Sequence, residues 1–202
     1  MPQSDLKFDP EAARLLLAEA GYPNGEGFPK TEILYNTNEA HRKIAVAIQQ
    51  MWKKYLNIDV TLLNQEWKVF LDNQNSGDFQ ISRRGWIGDY MDPNVFLGLY
   101  ICNGGNNNTG WCNPEFDHLI LDVAPSAKSQ AERYEAFAKA EKIILDDMPT
   151  IPIYIYTANN LMDPAVKGFP YNILNEPKFK YIYLQNDAES DTNSNATKKE
   201  VH

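Results

Sequence analysis

EILYNTNEAHRKIAVAIQQMWKKYLNIDVTLL, residues 32–63, is the stretch whose reading decides the fold. Its first residues, Glu32 to Tyr35, form a short apolar and aromatic run that reads as a strand. From Asn38 a helix is expected to about Leu56, because Ile44, Ala47, Ile48, Met51 and Trp52 recur at three- and four-residue intervals and so share one face. Ile58 to Leu63 reads as a second strand. A strand, a helix and a strand with short joints make a βαβ unit, right-handed and with its two strands parallel. The chain is therefore α/β, with a mixed sheet flanked by helices.

Toward the N-terminus, Asp9 is placed to cap a helix that opens on Pro10, buries Ala13, Leu16, Leu17 and Ala20, and stops at Gly21. Toward the C-terminus, Asn64 caps a short helix from Gln65 to about Gln74, and Asn75-Ser76-Gly77 turns the chain into a third strand, Phe79 to about Arg84. The stretch Gly85-Trp86-Ile87-Gly88-Asp89-Tyr90 leaves that strand through two glycines, as suits a backbone that turns tightly or approaches a ligand. Short helices follow Asp92-Pro93 and Asn113-Pro114. A long helix, Ala131 to about Asp147, turns Tyr134, Phe137, Ala138, Ile144 and Leu145 inward. Ile151 to Tyr156 and Phe179 to Leu184 read as strands. Residues 187–202 have the polar composition of a disordered tail.

The 202-residue chain carries 19 Lys and Arg against 27 Asp and Glu, a formal net charge of -8. That balance argues against a broad electrostatic grip on nucleic acid or anionic lipid. No run approaches the roughly 18 apolar residues of a membrane helix, and the first residues have neither the basic nor the apolar region of a signal peptide. Read alone, those residues point to the cytoplasm. Cys102 and Cys112 bracket an Asn- and Gly-rich stretch. They close a disulfide loop or stand as two unpaired thiols; closing it would contribute roughly 3 kcal/mol.

A zwitterionic ligand needs a carboxylate for its ammonium and a cation for its carboxylate. Asp89 and Arg83 offer that pair along one strand and loop, with Trp86 between them. A turn-stabilising role for Asp89 and a structural ion pair for Arg83 account for the same spacing. His41 falls in the first turn of the long helix, where packing alone also explains it. With His118 and His202 it makes no i, i+4 pair, so no zinc site is expected. Paired carboxylates such as Glu66 with Asp89 or Asp92 could in principle serve a glycosidase, but Glu66 is explained by its place at a helix start. No nucleophile elbow or phosphate loop occurs. Neither a cofactor nor an enzyme activity is implied.

The stretches FDPEAARLLLAEAGYPNGEGFP, GDFQISRRGWIGDYMDPNVFL, NNNTGWCNPEFDHLI and AEKIILDDMPTIPIYIY, taken with residues 32–63, resemble the C-terminal half of the oligopeptide-binding proteins of ABC importers, solute-binding family 5. The resemblance runs from about Leu6 to Leu184. It implies a periplasmic-binding-protein-like lobe of type II, short peptides as ligands, an ABC permease in the membrane as partner, and a periplasmic or cell-envelope location. In the motif Arg-x-Gly-Trp-x-x-Asp, the family's role for Asp89 is to pair with a peptide's α-amino group. Arg83 receives the carboxylate of shorter peptides and His41 that of a longer one, while Gly85, Trp86 and Ile87 line the cleft.

Two departures stand out: Gln74 occupies a position that is often basic, and Ile87 replaces the motif's Cys. The resemblance also implies an N-terminal lobe outside this sequence. On that basis residues 1–156 form the C-terminal lobe, 157–186 return to the absent lobe, and 187–202 form the tail. An interaction domain that keeps the fold without peptide capture is the alternative reading.

Overall fold

The computed structural model describes residues 6–170 and 176–185. The chain divides into two compact units. Met1–Trp86 with Pro93–Thr150 form the first, and Ile87–Asp92 with Ile151–His202 the second. The expected tail, 187–202, lies outside the described residues.

The first unit opens with helix α1, Pro10–Glu19, capped by the Asp9 carboxylate, which accepts from the Ala12 N–H at 3.0 Å. Strand β1, Thr31–Asn36, is followed by helix α2, Glu39–Leu56, and strand β2, Val60–Gln65. The two strands pair in parallel from Thr31 opposite Val60 to Asn36 opposite Gln65, the expected βαβ unit. Helix α3, Trp67–Ser76, leads to strand β3, Ile81–Ser82, which lies parallel on the other side of β1. The sheet order is thus β2-β1-β3. The crossover from β1 to β2 and the one from β2 past β1 to β3 run in opposite directions, and, both being right-handed, they put α2 and α3 on opposite faces of the sheet.

Several expectations need correction. The buried position of α2 is Ala45, whereas Ala47 and Met51 are exposed; the inward face is shifted and Ile48 and Trp52 still pack on Ile33, Ile58 and Val60. In α1 only Leu17 joins that cluster; Leu16 is exposed. α3 begins two residues later than expected, at Trp67. Its cap is the Glu66 carboxylate, which accepts from the Lys68 N–H at 2.8 Å. β3 keeps only two residues, because just Ile81 and Ser82 find register against Ile33 and Leu34.

The second half of this unit is helical. It runs through α4, Asn94–Leu97, then α5, Pro114–His118, a π-helical turn over Leu119–Val123, α6, Ala124–Ser126, and α7, Gln130–Asp147. Its core gathers Phe116, Leu119, Ile120, Phe137, Ala140 and Ile144, with Trp111 packed against them. Tyr134, expected inside, is exposed, and Ala136 is buried instead.

In the second unit, β4, Val166–Lys167, pairs antiparallel with β5, Tyr183–Leu184. The expected strand at Ile151 to Tyr156 has no regular structure, and each of its residues is exposed, Ile155 to 90 %. β-Branched composition alone makes no strand without a neighbouring ladder, and Pro152 brings no N–H to one. The expected strand at Phe179 to Leu184 shrinks to its last two residues after a 3₁₀ turn, Phe179–Tyr181.

Candidate functional site

Parallel strands that leave a central strand toward opposite sides create a crevice at their carboxyl ends. Here that edge is formed by Asn36 of β1, Gln65 of β2 and the chain leaving β3 at Arg83. Asn38 caps α2 at this edge, its side-chain oxygen accepting from the Ala40 N–H at 2.9 Å and the His41 N–H at 3.2 Å. The cap fixes the first helical turn and therefore the direction in which His41 leaves it.

His41 Nδ1 lies 2.8 Å from Asn36 Oδ1. Asn36 is buried, and its oxygen accepts, so the imidazole proton sits on Nδ1 and the neutral ring turns an acceptor, Nε2, outward. Partial burial, and after it the Arg83 charge, hold the His41 pKa below 6.5. His41 and Arg83, distant in sequence, are thereby brought within electrostatic reach of each other. Offering a donor from Nε2 to a carboxylate requires the imidazolium, the form that burial and Arg83 disfavour.

Arg83 is set by the sheet. Its N–H donates to the Leu34 carbonyl at 2.8 Å, continuing the β1–β3 ladder by one bond. Behind it stands Gln74, 2 % exposed, whose Nε2 donates to Ser82 Oγ at 2.7 Å and reaches the Arg83 carbonyl at 3.5 Å. The position that is often basic in the resembling family thus carries a buried amide that ties α3 to the end of β3. A cationic head there would need a buried counter-charge.

Beyond Arg83, the Arg84 guanidinium lies over the Trp86 ring, 5.7 Å from its centroid, and its Nη1 donates to Asn108 Oδ1. Trp86 Nε1 is buried without a hydrogen-bond partner among the described residues, as is Gln65 Oε1. The backbone N–H and C=O of Gly85 and Trp86 likewise take no hydrogen bond from another described residue. Ile87 and Asp89 belong to the second unit, and both are exposed.

Cys102 and Cys112 are joined in a disulfide, with their Cα atoms 4.7 Å apart. Inside the closed loop, Asn107 Nδ2 donates to the carbonyls of Tyr100, Ile101 and Trp111. Asp147, at the end of α7, accepts from Trp111 Nε1 at 3.0 Å and Asn113 Nδ2 at 3.2 Å.

Asn36, Arg84 and Asn108 were missed by reading the sequence, and Gln74 was noted only as a departure from a basic position. The neighbouring arginines carried a usable signal: successive residues of an extended chain point to opposite sides, so Arg83 and Arg84 serve different surroundings.

Comparison with known proteins places these residues in context. The profile of the family described as bacterial extracellular solute-binding proteins, family 5 Middle, matches residues 1–108. Oligopeptide-binding protein OppA of Bacillus subtilis (strain 168) is 43% identical over 183 residues, 90% of this chain and 33% of that protein. Periplasmic murein peptide-binding protein MppA of Escherichia coli (strain K12) is 42% identical over 161 residues, 79% of this chain and 29% of its own length. Among solved structures, a periplasmic oligopeptide-binding protein of Borrelia burgdorferi matches with a TM-score of 0.81 at 38% identity, covering 91% of this chain and 37% of that one. The chain spans about a third of the length of these relatives, which are named as peptide-binding proteins.

Proposed function

The chain belongs to family 5 of the bacterial extracellular solute-binding proteins, and from that membership we propose that it forms the C-terminal peptide-binding lobe of a receptor for ABC-type peptide import. It binds and does not catalyse. Residues 1–156 are the lobe and 157–186 return to an N-terminal lobe supplied from outside this sequence. The receptor works in the periplasm or at the cell envelope and delivers short peptides to a membrane permease.

The observation that carries the proposal is the segment leaving β3. There the backbone groups of Gly85 and Trp86 are without intramolecular hydrogen bonds among the described residues, directly after the Arg83-Arg84 pair whose first member acts electrostatically on His41. An extended peptide satisfies such groups by strand-like pairing, which ignores side-chain identity. Arg83 then receives the carboxylate of a shorter peptide by charge-assisted hydrogen bonds. His41 receives that of a longer one and takes up a proton as it does so. Asp89 accepts from the α-ammonium group, while Trp86 and Ile87 line the cleft.

Calorimetric titration of trialanine against N-acetyl-trialanine tests the assignment of Asp89. A hydrogen bond to a charged group corresponds to about a 10- to 150-fold loss of affinity on acetylation. Asp89→Asn should weaken the free peptide and abolish the difference between the two. Equal binding of the free and acetylated peptides would remove the ammonium anchor. No binding of either would favour an interaction domain that keeps the fold without capture.

A further inference from the structure

We propose that Arg84 is a positioning residue for the Trp86 wall of the peptide site, and that Asn108 of the disulfide-closed loop is its anchor. The effect on ligand rests on the peptide-binding reading; the effect on Trp86 does not.

Three observations meet at Arg84. Its guanidinium covers one face of the Trp86 ring, the geometry of a cation–π contact. Its Nη1 donates to Asn108 Oδ1, and no carboxylate forms an ion pair with it among the described residues. Trp86 Nε1, at the edge of the same ring, is buried with no partner among the described residues. No hydrogen bond of its own therefore fixes the rotation of the indole. What lies against the ring face is Arg84, and what directs Arg84 is Asn108.

The anchor itself is rigid for identifiable reasons. Asn108 follows Asn107, whose amide donates to the Trp111 carbonyl within the loop and to the Tyr100 and Ile101 carbonyls just before it. The loop is closed at its ends by the Cys102–Cys112 bond. The Asn108 amide itself reaches Asn75 Oδ1 through Nδ2 at 3.5 Å, which turns its oxygen toward Arg84, and the guanidinium answers with a planar fork rather than a rotating ammonium. Lys at position 84 would keep the charge and lose both the flat stack and the directed N–H. The contact thus joins a loop of the helical half, residues 102–112, to the chain leaving the sheet.

The test uses the full chain and reads Trp86 without ligand. In a ¹H–¹⁵N spectrum the Trp86 indole N–H is assigned by its loss in Trp86→Phe, with the Trp52 and Trp67 signals as internal controls. Asn108→Ala should shift or broaden the Trp86 signal and leave the two controls in place, and Arg84→Lys should do the same. Asn108→Asp, which keeps an acceptor opposite the guanidinium, should restore the parent signal. Affinity for trialanine should fall about two- to fivefold in Asn108→Ala, the size of an exposed cation–π contact, and recover in Asn108→Asp. Indole shifts in the two variants, together with a parent chain that binds no peptide, would sink the peptide reading and leave the positioning role intact. A Trp86 signal unmoved by Asn108→Ala and Arg84→Lys would overturn the proposal.

Discussion

Replacing Gln74 by Met tests how the end of β3 is held. Gln74 is 2 % exposed, so Met fills nearly the same volume and the change removes hydrogen bonds without opening a cavity. The 2.7 Å bond to Ser82 Oγ is full strength, and the 3.5 Å approach to the Arg83 carbonyl counts for little. A neutral hydrogen bond contributes about 0.5–1.5 kcal/mol net, and part of the desolvation of Ser82 adds to that, so the substitution should destabilise the fold by about 1–2 kcal/mol. With a urea slope of roughly 2 kcal/mol per molar, the unfolding midpoint should move down by about 0.5–1 M. Ser82→Ala supplies the second arm of a double-mutant cycle, in which the pair should show a coupling of about 1 kcal/mol. Strictly additive effects of the two substitutions, or a midpoint unchanged in Gln74→Met, would refute the view that this amide pins the strand from which Arg83 departs.

Phe116 is fully buried, 0 % exposed, with the Trp111 ring edge-on at 5.2 Å; Phe116→Ala should cost about 3–5 kcal/mol in the same denaturation assay, and a loss below about 1 kcal/mol would show that the cluster collapses around the gap. The folded-state pKa of His41 lies below its unfolded value of 6.5, so on acidification the unfolded chain binds the proton first; the His41 contribution to stability is present above 6.5 and is lost as the pH falls through the folded value. Arg83→Gln removes the smaller of the two causes and should raise the His41 pKa partway toward 6.5, read from the imidazole Cε1–H shift against pH; an unchanged or lower value would separate the two residues.

Residues 32–63 were legible because two kinds of periodicity change over within them and the caps fall at the changes. Asn38 precedes the helical spacing and leaves no ambiguity, since its side chain serves two N–H groups in the structure. The inward face of α2 was harder to place. Ala45 and Ala47 are chemically identical, and only the seating of Ile48 and Trp52 of the same helix on Ile33 and Ile58 decides which of them turns inward. The segment 151–156 misled because its β-branched and aromatic residues state a preference that only a partner strand can realise, and none pairs with it among the described residues. At the site, the motif marked Arg83 and Trp86 by type and spacing. Gln74, Asn36 and Asn108 act through tertiary neighbours many positions away, and a single sequence gives no measure of that proximity.

The two ends of the motif are held by different means, and this bears on how a peptide would be gripped. The Arg83 backbone is tied by a ladder bond to Leu34, and the residue before it, Ser82, accepts from Gln74 at 2.7 Å. A carboxylate arriving there meets a side chain that leaves an ordered strand end, so less of its interaction is lost to fixing the backbone. Ile87–Asp92 belong to the unit with 151–202, in which none of residues 151–164 is buried and each strand has two residues. Segments with few buried apolar neighbours open at low free-energy cost. On the proposed assignment, an ammonium on Asp89 would therefore bear a larger backbone ordering cost than a carboxylate on Arg83. The acetylation effect should fall near the lower end of its range, about 10-fold, whereas amidating the peptide's carboxylate should cost more. Equal or reversed penalties would show that the Asp89 end is as well ordered before binding as the Arg83 end.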